Sequence, residues 1–566
     1  MKRLLTGSQA IARGAWEAGV HVASGCEGEP SGTILQTLSA LGEVAVEPAP
    51  WERAAVEVAL GAALAGGRGL AAVPAGALAA ALPALDAASA SGAAGLVVVA
   101  CDDPSGRYAP PADSRLLARE AMAPVVEPSD PAECREAVAQ AFELSERFET
   151  PVVVRISTRL ADSAEPVEEA SRRAIPPRGR GRDPAAAEAL EERATFTRVR
   201  GLERLAQLAA HALEAPLNRL ELRSAEVGVV TSGLAYGMVR EALPEASVLK
   251  LGLVHPVPSG LLRAFAGRVR TLHVVEELEP FLEAELRAAH IACDGKDRLG
   301  RTGEITPATL ARAFRPGAER AGAPEPVPVR PPELCPGCPY RALAQGLKRL
   351  HVSATVDPGC RAFPAFPTLG PVDRAPGQGA AAGVAHGLAM ALGQRIRGRD
   401  VAALPDGALL QEAAGALALA AQGQGTVLIC DVGGGGWTGS GVRAPGGWRV
   451  DPASLLAALG YASVRVVDPL DLGATAAVLR EELARPASSA VVARAPCTRW
   501  PASRRPPMRV DGRRCNRCGA CLRLGCPALS DDLESVVVSA SACAGCGLCA
   551  QVCRPRAIEP CGGARS

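Results

Sequence analysis

The sequence predicts an α/β protein: three parallel-sheet domains, closed by a small cysteine-rich domain at the C-terminal end. Three observations predict it. Short β-branched runs alternate with Ala/Leu-rich helical runs through most of the chain. Three Pro- and Arg-rich stretches interrupt that alternation. Eight cysteines crowd the last tenth of the chain in two near-copies of one pattern.

The interruptions fall at 165–184, 316–332 and 500–508. They leave four segments, 1–165, 190–315, 333–498 and 509–566, and a chain of 566 residues has room for about three to five domains. In the first segment, Leu96–Ala100 and Pro151–Arg155 read as buried strands. Between residues 50 and 66 a helix is expected, with Glu52 in its first turn and Gly61 and Gly66 as close-packing positions. In the second segment the strands are Val227–Thr231, Val248–Leu251 and Leu272–Glu276. In the third they are Val401–Leu404, Thr426–Asp431, Val464–Val467 and Ala490–Ala493. Continuous apolar strands separated by helices imply parallel sheets covered on both faces.

Composition narrows the class. The formal net charge is +1, so no overall field draws the chain to nucleic acid or a membrane surface. Aromatic residues make up only 3%, so small residues fill the cores. No membrane span is expected: the best apolar run, Gly69–Leu85, carries Pro74 and Pro83. Residues 1–18 lack the apolar centre of a secretory signal, which points to the cytoplasm.

The cysteine pattern is the most specific feature. It runs Cys515-x2-Cys518-x2-Cys521-x4-Cys526-Pro527, then Cys543-x2-Cys546-x2-Cys549-x3-Cys553. This is the spacing of a two-[4Fe–4S] bacterial-type ferredoxin domain, in which three close thiolates hold one cube and the fourth reaches to the other. Cys515, Cys518, Cys521 and Cys553 are expected to hold one cluster, and Cys526, Cys543, Cys546 and Cys549 the other. Disulfides would need an oxidising compartment, and zinc usually takes its ligands from two CxxC pairs. Arg554 stands where proline commonly follows the last ligand, and the first motif has four residues before Cys526, but no ligand is lost. Such a module passes single electrons, and exposed clusters of this kind suit anaerobic use.

In open parallel sheets, ligands sit beyond the carboxyl ends of the strands. Asp406 and Gly407 follow one predicted strand directly, and Ile429–Gly434 ends the next. The pair resembles the thiamine diphosphate signature, a Gly-Asp-Gly followed some two dozen residues later by Asn, whose Asp and Asn ligate Mg²⁺. Asp406 suits that role. Val432 stands at the Asn position and offers no oxygen, while Gly433 can bring backbone close to a phosphate or metal. A Pro-Asp-Gly turn is also a common bland feature, and Glu52 read alone is a surface carboxylate at a helix start.

Taken together, the chain resembles the large subunit of indolepyruvate ferredoxin oxidoreductases along essentially its whole length. The resemblance is carried by Glu127–Pro131, Ala141–Ser145, Pro151–Arg155, Ser232–Tyr236, Val275–Pro280, Leu334–Tyr340 and the terminal cysteine pair. It implies two thiamine diphosphate-binding-like α/β domains (1–165 and 333–498), a transketolase C-terminal-like domain (190–315) and the ferredoxin domain (509–566). It implies oxidative decarboxylation of aryl pyruvates to acyl-CoA at the junction of the first and third segments. Electrons would pass through [4Fe–4S] clusters to ferredoxin, with a separate small (beta) subunit as partner. Glu52 falls at the family's cofactor-activating glutamate, where a carboxyl hydrogen-bonds the aminopyrimidine. Cys335, Cys338, Cys360 and Cys497 resemble ligands of a third [4Fe–4S] cluster; buried structural thiols are the alternative, and Cys26, Cys101, Cys134, Cys293, Cys430 and Cys561 are assigned to it. The family's Tyr-Pro-Gly-Thr-Pro-Ser is altered to Cys26–Ser31, and its Gly-Asp-Ser-Thr-Phe-Phe-His to Pro405–Gln411. Two functions therefore stand open: an active thiamine enzyme, with that substrate or a changed one, or a diverged iron–sulfur electron-transfer subunit without thiamine.

Overall fold

The structure, a computed structural model, describes the chain apart from residues 1, 27, 50, 107–109, 178–189, 214, 315–333, 358–371, 376–378, 397, 412, 424, 434–449, 500–504, 533–534 and 562–566. It divides into two compact units, Met1–Pro326 and Val327–Ser566.

The first unit contains a seven-stranded sheet in the order Leu253–His255, Val125–Val126, Val152–Ser157, Leu96–Asp102, Gly69–Val73, Val22–Gly25, Ala45–Pro48. Its centre is built from β-branched residues in register: Val97, Val98 and Val99 pair with Val152, Val153 and Val154. All six are fully buried, and each contributes roughly 1.5–3 kcal/mol of apolar burial. The sheet is parallel except at one edge, where Leu253–His255 pairs antiparallel with Val125–Val126. That edge strand comes from the second predicted segment. A second sheet orders Thr271–Val275, Val227–Ser232, Ser247–Leu251 and Arg219–Glu221, the last antiparallel. An N-terminal antiparallel pair, Lys2–Thr6 with Ala164–Glu168, lies outside the sequence expectations, which began a linker at residue 165.

Helix Pro131–Phe148 shows how the sheet is covered. Asp130 caps it by accepting from Glu133 N at 2.7 Å, and Pro131 starts the first turn. Cys134, Ala137, Val138, Ala141, Phe142 and Ser145 form its buried stripe. Helix Gly7–Glu17 packs on it through Gly14, where a Cβ would run into the Arg135 carbonyl. The predicted helix near residue 52 spans Glu52–Leu64. Gly61 is not a close-packing position, because open space surrounds it; the tight approach is at Gly69, against the Ala59 carbonyl.

In the second unit, six parallel strands run in the order Val372–Arg374, Ser353–Val356, Asp400–Pro405, Thr426–Asp431, Ser489–Arg494, Ser463–Val467. Separate apolar clusters cover its two faces. The cysteine-rich domain adds two short antiparallel pairs, Met508–Val510 with Ile558–Pro560 and Leu529–Asp531 with Val536–Val538. Among the described residues no helix is long and apolar enough to cross a membrane.

Candidate functional site

Left-handed residues fold the cysteine loops inward. Gly519, Gly525, Gly545 and Gly547 all have φ between 62° and 78°, which only glycine adopts readily. A Cβ on Gly545 would also strike the Pro506 carbonyl. The loops close around two apolar hollows. One is lined by Cys515, Cys518, Cys521 and Cys553 over Val510, Val536 and Ile558. The other is lined by Cys526, Cys543, Cys546 and Cys549 over Met508, Leu524 and Leu548. The structure thus brings together the same sets of four that the spacing suggests, with Cys526 and Cys553 exchanged between motifs. Backbone N–H groups of Met508 and Gly545 donate to Cys543 Sγ at 3.4 Å, and Ala557 N donates to Cys553 Sγ at 3.2 Å.

Without metal, burial and mutual repulsion keep these thiols protonated. Burial, then the negative charge of Cys546, Cys543 and Cys526, pushes the Cys549 thiol up to about 12. Burial raises Cys521 too, with Cys553 and Cys515 adding to it. Such a set becomes thiolate only as metal binding displaces the protons. Every described cysteine is unpaired by disulfide. Among the described residues no three His, Cys, Asp or Glu side chains are arranged to hold a single ion. Four sulfurs spread around a hollow suit a cube, where each grips a different iron.

The CPGC loop seats directly on the second hollow. Pro336, Gly337 and Arg341 line it beside the cysteines. Gly337 has φ +75°, and a Cβ there would stand 2.9 Å from Ala544 Cβ and 3.4 Å from Cys546 Cβ. Arg341, 1% exposed, staples the junction: it donates to the Leu524 carbonyl at 2.6 Å and the Leu334 carbonyl at 2.5 Å. Cys335 and Cys497 pack half-buried against a core that contains Cys338 and Cys430. Cys360 lies outside the described residues. Of the thiols assigned as buried and structural, Cys26, Cys101, Cys134 and Cys430 are buried; Cys293 and Cys561 are only half-buried, Cys293 against the core of the second sheet. Cys430 shares its core with Cys338, and burial, then the Cys338 charge, raises its thiol strongly.

At the strand ends of the same sheet, Pro405 pairs with Cys430, and Asp406 N donates to the Cys430 carbonyl at 3.1 Å. Asp406 is 9% exposed, and its carboxylate accepts from Gly407 N at 3.0 Å. Asp431 accepts from Gly433 N at 3.0 Å and from Arg494 Nε at 2.6 Å. Val432 points into the core. Asp406 therefore suits a hard cation, Val432 supplies nothing to it, and the Asp431 carboxylate is already matched by Arg494. Gly433 has φ +86°; residues 434–436 lie outside the described set. Asp357, which the sequence reading passed over, accepts from the amides of Gly379, Ala380 and Ala381 at 2.9–3.2 Å. It fills the N-terminus of helix Ala381–Leu392 with its own carboxylate.

In the first unit, Glu52 opens helix Glu52–Leu64 and is 3% exposed, so it is not the surface carboxylate of the simpler reading. The sequence reading also missed a buried charge network joining the unit's two sheets. Arg115 donates to Asp113 at 2.9 and 2.6 Å and to Glu276 at 2.7 Å. Arg155 donates to Asp102 at 2.7 Å and to Glu127 at 3.4 Å. Burial raises the Glu276 and Glu277 carboxyls. Glu127, Arg155, Glu276 and Glu277 all sit in the segments that carried the family resemblance, which was the available signal.

Two four-cysteine hollows on an α/β frame define an iron–sulfur protein, and residues 507–554 match the family described as 4Fe-4S dicluster domain. The whole chain is 31% identical to indolepyruvate oxidoreductase subunit IorA of Archaeoglobus fulgidus, over 99% of this chain and 97% of that one. It is equally similar, at 31%, to the subunits of that name from Thermococcus kodakarensis (98% of this chain, 97% of that one) and Methanothermobacter thermautotrophicus (99% and 97%). The chain belongs to this indolepyruvate oxidoreductase subunit family. It is an oxidoreductase subunit that carries iron–sulfur clusters.

Proposed function

We propose that the chain, with a small partner subunit, oxidatively decarboxylates an aryl 2-oxoacid of the indolepyruvate class in the cytoplasm. The balance is 2-oxoacid and coenzyme A to acyl-CoA and CO₂, releasing two electrons and one proton. The observation that supports this best is the CPGC loop seated on the inner four-cysteine hollow, within a chain related to these oxidoreductases over its full length. It puts a cysteine-bearing loop of the sheet domain against the electron-carrying module.

In this reading Cys515, Cys518, Cys521 and Cys553 hold one [4Fe–4S] cluster, and Cys526, Cys543, Cys546 and Cys549 the second. Cys335, Cys338, Cys360 and Cys497 hold a third. Two electrons leave the substrate and travel singly through these centres to a ferredoxin. Thiamine diphosphate supplies the electron sink that lets CO₂ depart. Glu52, buried at a helix start, holds a proton against the cofactor's aminopyrimidine. Asp406 would offer a side-chain oxygen to Mg²⁺ and Gly407 and Gly433 backbone, with water and phosphate filling the remaining places.

A second reading is favoured by one observation: Val432 is in the core and Arg494 holds Asp431. In that reading thiamine no longer binds, and the chain is an electron-transfer subunit of another complex. Calorimetry of thiamine diphosphate with Mg²⁺ on anaerobic holoprotein separates the two. Micromolar or tighter binding, followed by turnover in a screen of aryl 2-oxoacids, is expected. No binding to protein replete in iron and sulfide would overturn the enzyme reading.

A further inference from the structure

The two four-cysteine hollows differ in their charge surroundings. From Ser535 to Val552, the stretch that supplies three thiols of the inner set, there is no charged residue. The other set is flanked along the chain by Arg513, Arg514, Arg517, Arg523, Arg554 and Arg556, each within three residues of one of its cysteines and each exposed. Residues 509–566 hold eight arginines, no lysine and five carboxylates, whereas the whole chain is nearly neutral at +1. The balance is therefore a local feature.

Pairing leaves most of these arginines unneutralised. Arg517 meets Asp531 at 3.2 Å, and Arg523 donates to the Cys518 carbonyl at 3.2 Å, which sets it over that ligand loop. The guanidinium groups of Arg513, Arg514, Arg554 and Arg556 have no ion-pair partner among the described residues. Cys518 is itself exposed, whereas the inner set is covered by Pro336, Gly337 and Arg341. The most accessible cysteine set is thus the one that the arginines flank.

The geometry points to these flanking arginines as the docking surface for an acidic electron-carrier protein, which receives electrons from the Cys515–Cys518–Cys521–Cys553 centre. The inference rests on the reading that this set holds a cluster. Each transfer takes one electron from the reduced cluster and gives one to the carrier. Exposed like charges at close range steer an oppositely charged partner and set its orientation, more than they add raw affinity. Screening over about 8–10 Å makes that contribution salt-sensitive.

The test uses the holoprotein with its partner subunit and the triple substitution Arg513→Gln, Arg514→Gln, Arg554→Gln. Iron content and reduction by dithionite check the cluster reading first, and need neither 2-oxoacid nor thiamine. Affinity for an acidic two-[4Fe–4S] ferredoxin is then measured by calorimetry across a salt series. The wild type should weaken steeply with salt; the variant should bind about tenfold more weakly at low salt, with a shallower slope. Reoxidation of dithionite-reduced protein should slow about tenfold for the ferredoxin, but not for the basic protein cytochrome c or for neutral benzoquinone. Unchanged affinity and salt slope, or equal slowing with all three acceptors, would overturn the proposal. So would a shift in cluster potential with no change in ferredoxin affinity, because the arginines would then serve only the cluster's own charge.

Discussion

Replacing Arg115 by methionine removes the cation that buried Asp113 and Glu276 share. Arg115 is fully buried and bonds both oxygens of Asp113, one of Glu276, and the carbonyls of Glu277 and Glu279. Removing one partner of a buried pair costs about 3–5 kcal/mol, because an uncompensated charge stays behind. Methionine keeps most of the volume beside Phe281, so the packing loss is small. Two carboxylates are stranded, which places the expected loss near the upper end, about 4–5 kcal/mol at neutral pH. The sign with pH follows from the shifts. Burial alone would raise Asp113, and Arg115 brings it below the usual carboxylate range. Its stabilisation is present above the unfolded-state pKa and is lost as pH falls through the folded one. In the variant the stranded carboxyls have raised folded pKa values, so their cost is greatest at neutral pH and fades on acidification. The gap between variant and wild type should therefore narrow from about pH 7 to about pH 5. Urea unfolding read by hydrogen exchange in Leu96–Asp102 and Val152–Ser157 measures it, and Arg115→Lys should fall between the two. A loss under about 1 kcal/mol, or a gap that does not narrow, refutes the reasoning.

Cys526→Ala should empty the hollow formed with Cys543, Cys546 and Cys549 although it lies in the first motif; iron should drop by about four atoms per chain while the paramagnetic signal of the Cys515 set persists. Loss of that signal instead would refute the exchange of fourth ligands. Glu52→Gln should lower kcat by about 10²–10⁴ with iron content unchanged, and activity within twofold of wild type would remove Glu52 from the mechanism. Gly337→Val forces a branched side chain into a left-handed turn against Ala544 and Cys546. It should cost about 1–3 kcal/mol and broaden the signal of the Cys543 set first; an unaltered spectrum would show that the loop does not bear on that centre.

Strands were legible where burial on both faces demands continuous β-branched residues. Thr426–Asp431 has the predicted ends, and Leu96–Ala100 extends only to Asp102. Short strands with few β-branched residues were not, whether central, as Gly69–Val73 and Val22–Gly25, or at an edge. Lys2–Thr6 and Ala164–Glu168 are largely exposed and mix charge with apolar residues, so they read as terminus and linker. Leu253–His255 is three residues long and pairs far from its sequence neighbours. The cysteine sets were legible because ligand spacing is local. At the strand-end site, Val432 was visible as a departure, but the capture of Asp431 by Arg494 requires two strands that only the folded sheet makes adjacent. The Arg115 network was hidden for the same reason: Asp113 and Glu276 are 163 positions apart, and neither signals its partner.

The two cysteine sets also show two ways of managing negative charge. Arg341 collects carbonyls from the CPGC loop and from Leu524, just before Cys526, so one guanidinium fixes the spacing between the loop and the inner hollow. Its charge also favours the thiolate at Cys546, against the burial that raises it. A buried cation acts through a low dielectric and is worth far more per charge than a solvated one. One arginine can therefore serve an inner set whose own stretch is uncharged. The outer set faces water, where each charge is screened, and six arginines flank it along the chain. Arg513, Arg514, Arg554 and Arg556 have no ion-pair partner among the described residues, and these are the charges that the proposed carrier would meet.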